Sequence, residues 1–182
     1  MDIVNTYFRS REQSILLEEK GVRLVGSSIS NTADLPALPA ELYGLIDERF
    51  ATVIFDVGGD ANGARVLSRF SKQIGARDYD MYVVVNANRP FTQTAGQAMR
   101  YIDQIQEQSR LSVTGIVNNT HMLRETAVED ILKGEQVCLE IEKETGKPLV
   151  YNVCPSFLNL DGREDIISRI FSIKLYMRPE WL

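Results

Sequence analysis

Short runs of β-branched and other apolar residues alternate along this chain with longer segments whose apolar positions recur at helical spacing. This is how a parallel sheet with crossover helices reads in sequence. Residues 22–25 (VRLV), 52–55 (TVIF), 81–85 (MYVVV), 113–117 (VTGIV) and 149–153 (LVYNV) are near-continuous apolar runs bounded by polar or turn residues. They predict strands buried on both faces. Residues 10–20, 61–74, 92–109 and 125–145 predict the crossover helices, as in the spacing of Ala98, Tyr101, Ile102 and Ile105. Gly21, Gly75 and Gly146 fall where helices should end, the place where left-handed backbone costs a glycine least. Residues 34–39 (DLPALP) predict a turn into a short helix running to about residue 50, a connector within the fold. The pattern as a whole predicts an α/β domain, three-layer α/β/α with a mostly parallel sheet.

With 182 residues, 44% of them hydrophobic, the chain can bury one substantial core, so residues 1–182 are read as a single domain. The tail, residues 173–182, carries Tyr176, Met177, Pro179 and Trp181, too apolar to lie free in water without cause. It packs either on the domain or on a partner. A net charge of -5 and a pI near 5.0 argue against an extended phosphate-binding surface, so nucleic acid is a poor expectation. Cys138 and Cys154 are far apart, with no CxxC pair and no histidine nearby, which predicts structural thiols and no zinc site. No apolar run approaches the length of a membrane span, and no basic segment leads into an apolar one at the start. The expected compartment is cytoplasmic.

Three strand ends carry candidate chemistry. In residues 53–60 (VIFDVGGD) an apolar strand ends in Asp56, followed by glycines. At the carboxyl edge of a parallel sheet, Asp56 can hold a magnesium-bound water. Gly59 lets a backbone N–H approach a terminal phosphate. The same residues also suit a plain strand-ending turn, and the segment alone leaves both readings open. In residues 115–120 (GIVNNT) a buried strand delivers Asn118 and Asn119 to the same edge, where an amide offers both a donor and an acceptor to a base. With no Asn-Lys-x-Asp signature present, adenine is favoured over guanine. Shaping a turn is the alternative. Residues 85–90 (VNANRP) put Asn86 and Arg89 on that rim and are read as loop architecture.

Together with residues 2–12 (DIVNTYFRSRE), 33–44 (ADLPALPAELYG), 83–91 (VVVNANRPF) and 173–181 (IKLYMRPEW), these segments resemble, in order, the MinD/ParA/CobQ-like branch of P-loop ATPases. The resemblance covers most of the chain. It implies that Asp2 is the switch I acid, helping to position magnesium and the attacking water. Asp56 would then be the Walker B acid and Gly59 the switch II glycine. Asn118 would contact the base, and Pro155 would line the adenine pocket. Magnesium and ATP are the implied cofactors.

One departure changes the expected mechanism, since no G-x-x-x-x-G-K-[ST] sequence occurs in these residues. The chain reads as an incomplete P-loop NTPase fold, as though its first strand, P-loop, first helix and second strand were removed. Without those backbone amides and that lysine, adenine nucleotide should bind weakly or not at all, and hydrolysis should be negligible. A sheet short of two strands should expose edges that invite a second copy or a protein partner. The alternative expectation is a non-enzymatic interaction module on the same scaffold. No G-x-G-x-x-G follows a strand, which leaves a Rossmann-type binder without support. Arg65, Arg69 and Lys72 read as a solvated helix face, His121 as a loop residue, Arg9 and Arg11 as an exposed helix start, and the acids of 125–144 as an exposed amphipathic helix.

Overall fold

Four strands, β1 (Tyr82–Val85), β2 (Gly115–Asn118), β3 (Leu149–Pro155) and β4 (Ile170–Ile173), form one sheet in that spatial order, with every pairing parallel. The computed structural model describes residues 14–25, 44, 46, 51–160, 163, 166 and 169–176. The expected strands at 81–85, 113–117 and 149–153 are present within a few residues of their predicted bounds. Those at 22–25 and 52–55 join no ladder among the described residues, and Ile54 is 86% exposed. An apolar run becomes a strand only where a neighbouring edge takes up its backbone N–H and C=O groups. Strand β4 was not anticipated. Its last residue, Ile173, is the first of the segment read as a tail.

The helices that reach the sheet cover one face. Helix α4 (Ala95–Ser109) starts at Thr94, whose hydroxyl accepts from Gln97 N at 3.3 Å while the Gln97 side chain accepts from Thr94 N at 3.2 Å. This reciprocal cap satisfies two otherwise orphaned donors. Ala95, Ala98, Ile102 and Ile105 give α4 its buried stripe, which meets Val83, Val85 and Ile116 of the sheet in a single core cluster. Helix α5 (Val128–Thr145) buries Ile131, Gly134, Glu135, Cys138 and Ile141 and ends at Gly146 in left-handed backbone, φ 70°. Gly21 is also left-handed, at φ 75°, after the short α1 (Ser14–Glu19). Gly75 is not, because the chain leaves that helix through right-handed backbone at Ala76.

The single helix expected at 61–74 is three pieces: α2 (Ala61–Ala64), a 3-10 turn (Arg65–Arg69) and α3 (Ser71–Gly75). Ser68 Oγ donates to Arg65 O at 2.7 Å and Ser71 Oγ to Ser68 O at 3.0 Å. These bonds to the carbonyl three residues back favour the tighter turn. Phe70 sits at the break and is fully buried. Arg65, Arg69 and Lys72 are exposed, as the solvated reading requires.

On the opposite face of the sheet, Tyr82, Val84 and Phe171 are exposed, and the Tyr151 and Phe171 rings pack with centroids 5.5 Å apart. A bulge in the β2–β3 register makes Val150 the extra residue. A Cβ on Gly115 would lie 2.6 Å from Val150 Cγ2 and 3.1 Å from Tyr82 Cδ1, so this close approach requires glycine.

Candidate functional site at the strand tips

In a parallel sheet every strand delivers its carboxyl end to one edge, and the loops there gather side chains from distant parts of the sequence. The tip of β2 holds a chain of buried polar groups. Asn118 lies on the helix-facing side and is 0% exposed. Its Nδ2 donates to Ile131 O at 2.9 Å and to Asn152 Oδ1 at 2.8 Å, while its Oδ1 accepts from Thr120 N at 3.1 Å. Asn152 of β3 in turn donates to the buried Glu135 carboxylate at 2.5 Å. Thr120 Oγ1 accepts from Ala87 N at 2.9 Å, bringing the loop after β1 into the same network. Among the described residues no buried side-chain polar atom lacks a partner.

Helix α5 can approach this network because residue 134 is glycine. A Cβ there would lie 2.0 Å from Thr120 Oγ1 and 2.1 Å from Asn118 Oδ1. Glu135 corrects the expectation of uniformly exposed acids on this helix. Positions 131, 134, 135, 138 and 141 fall on one buried stripe, so the periodicity carried a signal that its charge concealed.

The loop after β1 is tied down separately. Asn86 Oδ1 accepts from Asn88 N at 2.9 Å, and Thr92 Oγ1 donates to Asn86 O at 2.8 Å. Asn88 donates to Asp130 Oδ1 at 2.7 Å and accepts from Lys133 Nζ at 2.9 Å, which fixes the loop to the first turns of α5. This is the loop architecture the sequence suggested. His121 Nδ1 accepts from Leu123 N at 3.2 Å. Burial, and then the nearby Arg89 guanidinium, hold its pKa below the ordinary histidine value, partly opposed by Asp130. His121 is therefore neutral at pH 7.

The remaining sequence candidates are scattered. Asp2 lies outside the described residues, as do Arg9, Arg11, the 34–39 connector and residues 177–182 of the tail. Asp56 is exposed at the end of an extended segment. Gly59 is exposed too, with nothing within 4 Å of where a Cβ would stand. Asp60 Oδ1 accepts from Gly63 N at 2.7 Å and caps α2, so part of the VGGD segment serves a helix start. Pro155 is buried at the end of β3, paired with Ile173 and three positions beyond Asn152. The structure thus brings Asn118 and Pro155 to adjacent strands, and shows no bond between either and the Asp56 segment.

No cluster of three or more His, Cys, Asp or Glu side chains able to hold a metal occurs among the described residues. Magnesium retains waters and takes one or two carboxylates together with phosphate oxygens. Asp56, a single exposed carboxylate, fits that limited role and no fuller one. Both cysteines are buried and free, and burial, with Glu135 adding to it, pushes the Cys138 thiol up to about 12. No described helix is long and apolar enough to cross a membrane. No protein-family model, curated protein or solved structure matches this chain.

Proposed function

We propose that this chain is the adenine-nucleotide-responsive scaffold of a MinD/ParA-like switch whose phosphate cradle is not among these 182 residues. On its own it binds Mg-ATP weakly and hydrolyses it negligibly. The observation that carries the reading is the winding of the sheet. Strands β1 to β4 step in one direction, with α4 and α5 on one face. The pieces α2 and α3 belong to the same side of the fold, because α2 and the 3-10 turn pack against α4. Were residues 52–57 a strand of this sheet, a right-handed crossover would set them beyond the outer edge of β1; among the described residues no ladder joins the two. That is the arrangement expected if another strand belongs between them. Ligands of parallel α/β sheets bind at the carboxyl ends of the strands.

In this reading Asp56 holds a magnesium-bound water, with Asp2 as the second acid. Gly59 offers a backbone N–H to the terminal phosphate, the tip of β2 faces the base, and Pro155 forms one wall. Magnesium, when bound, neutralises phosphate charge. Thermal unfolding with and without nucleotide tests the proposal. A dissociation constant of about 1 mM gives about 1.4 kcal/mol of stabilisation at about 10 mM Mg-ATP, a rise of about 3–6 °C in Tm. Asp56→Ala should remove most of it. No rise in the parent protein sinks the reading.

A second reading, a protein-interaction module, is favoured by the outer edge of β1, which no described strand pairs with, and by Val84, which is 59% exposed beside the exposed Tyr82. It predicts concentration-dependent self-association in sedimentation. A monodisperse monomer at high concentration counts against it.

A further inference from the structure

Four asparagines stand at the tips of β1 and β2 and a fifth, Asn152, lies beside them within β3, and their side chains differ in one respect. Asn86 accepts from Asn88 N and donates to His121 O at 3.5 Å. Asn88 donates to Asp130 and accepts from Lys133. Asn118 uses both donor hydrogens and its oxygen within the buried network, and Asn152 donates to Glu135 while accepting from Asn118. Each of these four amides has both ends engaged. Asn119 alone among the five has a side chain that no hydrogen bond takes up.

Its position is fixed by the backbone. Asn119 N donates to Val85 O at 2.8 Å, so the ladder with β1 continues one residue past the end of β2. Alternation persists through this point, because Asn118 and Thr120 both meet Gly134 on the helix side. The Asn119 amide therefore lies on the opposite side of the sheet, at the carboxyl edge, partly exposed. An amide there with a free donor and a free acceptor matches adenine, whose amino group and adjacent ring nitrogen present an acceptor–donor pair. On the corresponding N7 edge of guanine, O6 and N7 are both acceptors and do not match it, so the discrimination is that of a base read on its N7 edge.

We propose that Asn119, and not Asn118, is the residue that reads the base, with Asn118 as the buried lock that holds the β2 tip in place. This rests on the nucleotide reading above and names the specificity residue within it. It also reassigns the role that the family resemblance gave to Asn118.

The test is thermal unfolding of the parent, Asn119→Ala and Asn119→Asp with Mg-ATP or Mg-GTP at about 10 mM. The parent should show a larger rise with ATP than with GTP. Asn119→Ala should unfold within about 1 °C of the parent without nucleotide, since its side chain engages nothing. Its ATP affinity should fall at least about tenfold, enough to remove most of the ATP-induced rise. Asn119→Asp, which keeps the shape but loses the donor, should behave likewise. A full ATP-induced rise in Asn119→Ala, or equal rises with ATP and GTP in the parent, overturns the assignment and leaves the nucleotide reading standing. No rise with either nucleotide in the parent overturns both.

Discussion

Replacing Gly134 by alanine is the sharpest perturbation of the strand-tip network, because the outcome runs against ordinary helix propensity. In the middle of an exposed helix the change stabilises by about 1 kcal/mol. Here the new methyl would lie 2.0 Å from Thr120 Oγ1, 2.1 Å from Asn118 Oδ1 and 2.6 Å from Thr120 Cβ. Relieving these contacts needs at least about 1 Å of separation between α5 and β2. That movement stretches the 2.9 Å bond from Asn118 Nδ2 to Ile131 O beyond hydrogen-bonding range and leaves a donor buried without a partner. The strain costs about 1–3 kcal/mol and the lost bond about 1–3 kcal/mol, against the propensity gain, for a net loss of about 3 kcal/mol. For a chain of this size the fall in Tm is about 6–12 °C. Gly96→Ala is the control: it lies in α4 with only Arg100 Nη1, at 4.0 Å, near the added Cβ, so its Tm should rise by about 1–4 °C. Far-UV circular dichroism during heating reads both variants. A Gly134→Ala protein that melts within about 2 °C of the parent, or above it, refutes the packing described here.

Other consequences are open to measurement. Glu135→Ala removes the acceptor for Asn152 Nδ2 and should cost about 1–3 kcal/mol in urea unfolding; an unchanged midpoint would show that the bond does not hold the tips. Cys138 is buried with its thiol at about 12 and Cys154 is buried. Neither should react with a thiol reagent at pH 7.5 until urea unfolds the chain, and rapid native labelling would contradict their burial. The folded-state pKa of His121 is lowered, so the unfolded chain binds more protons as pH falls below about 6.5. The stability associated with neutral His121 is therefore full above that pH and declines as pH falls towards the folded-state value. His121→Asn should flatten the Tm profile below about pH 6.5, and an unaltered slope would remove His121 as its source.

The parallel sheet was legible because MYVVV, VTGIV and LVYNV are continuous apolar runs, although β1 buries only one of its faces and leaves Tyr82 and Val84 exposed on the other. Residues 52–55 have the same texture, yet pairing depends on an edge that composition does not encode. The break at 65–70 was hidden because serine back-bonding and the burial of Phe70 do not alter the apolar period. At the strand tips the sequence singled out Asn118 and Asn119 but could not divide their labour. Strand alternation turns Asn118 towards α5 and Asn119 away from it, and that division appears only once Gly134, Glu135 and Asn152 are in place. Asp56 and Gly59 were legible as a motif, and the structure shows each exposed. Their proposed roles rest on a ligand that would draw them towards the tips.

Amide chemical-shift mapping of the 15N-labelled protein during titration with Mg-ATP tests the central claim most directly. The account predicts weak, saturable shifts at about millimolar nucleotide, gathered at residues 86–90, 118–121 and 155–156, the loops of one carboxyl edge, together with residues 56–60. A spectrum unchanged at about 10 mM Mg-ATP, or shifts gathered away from that edge, would contradict it.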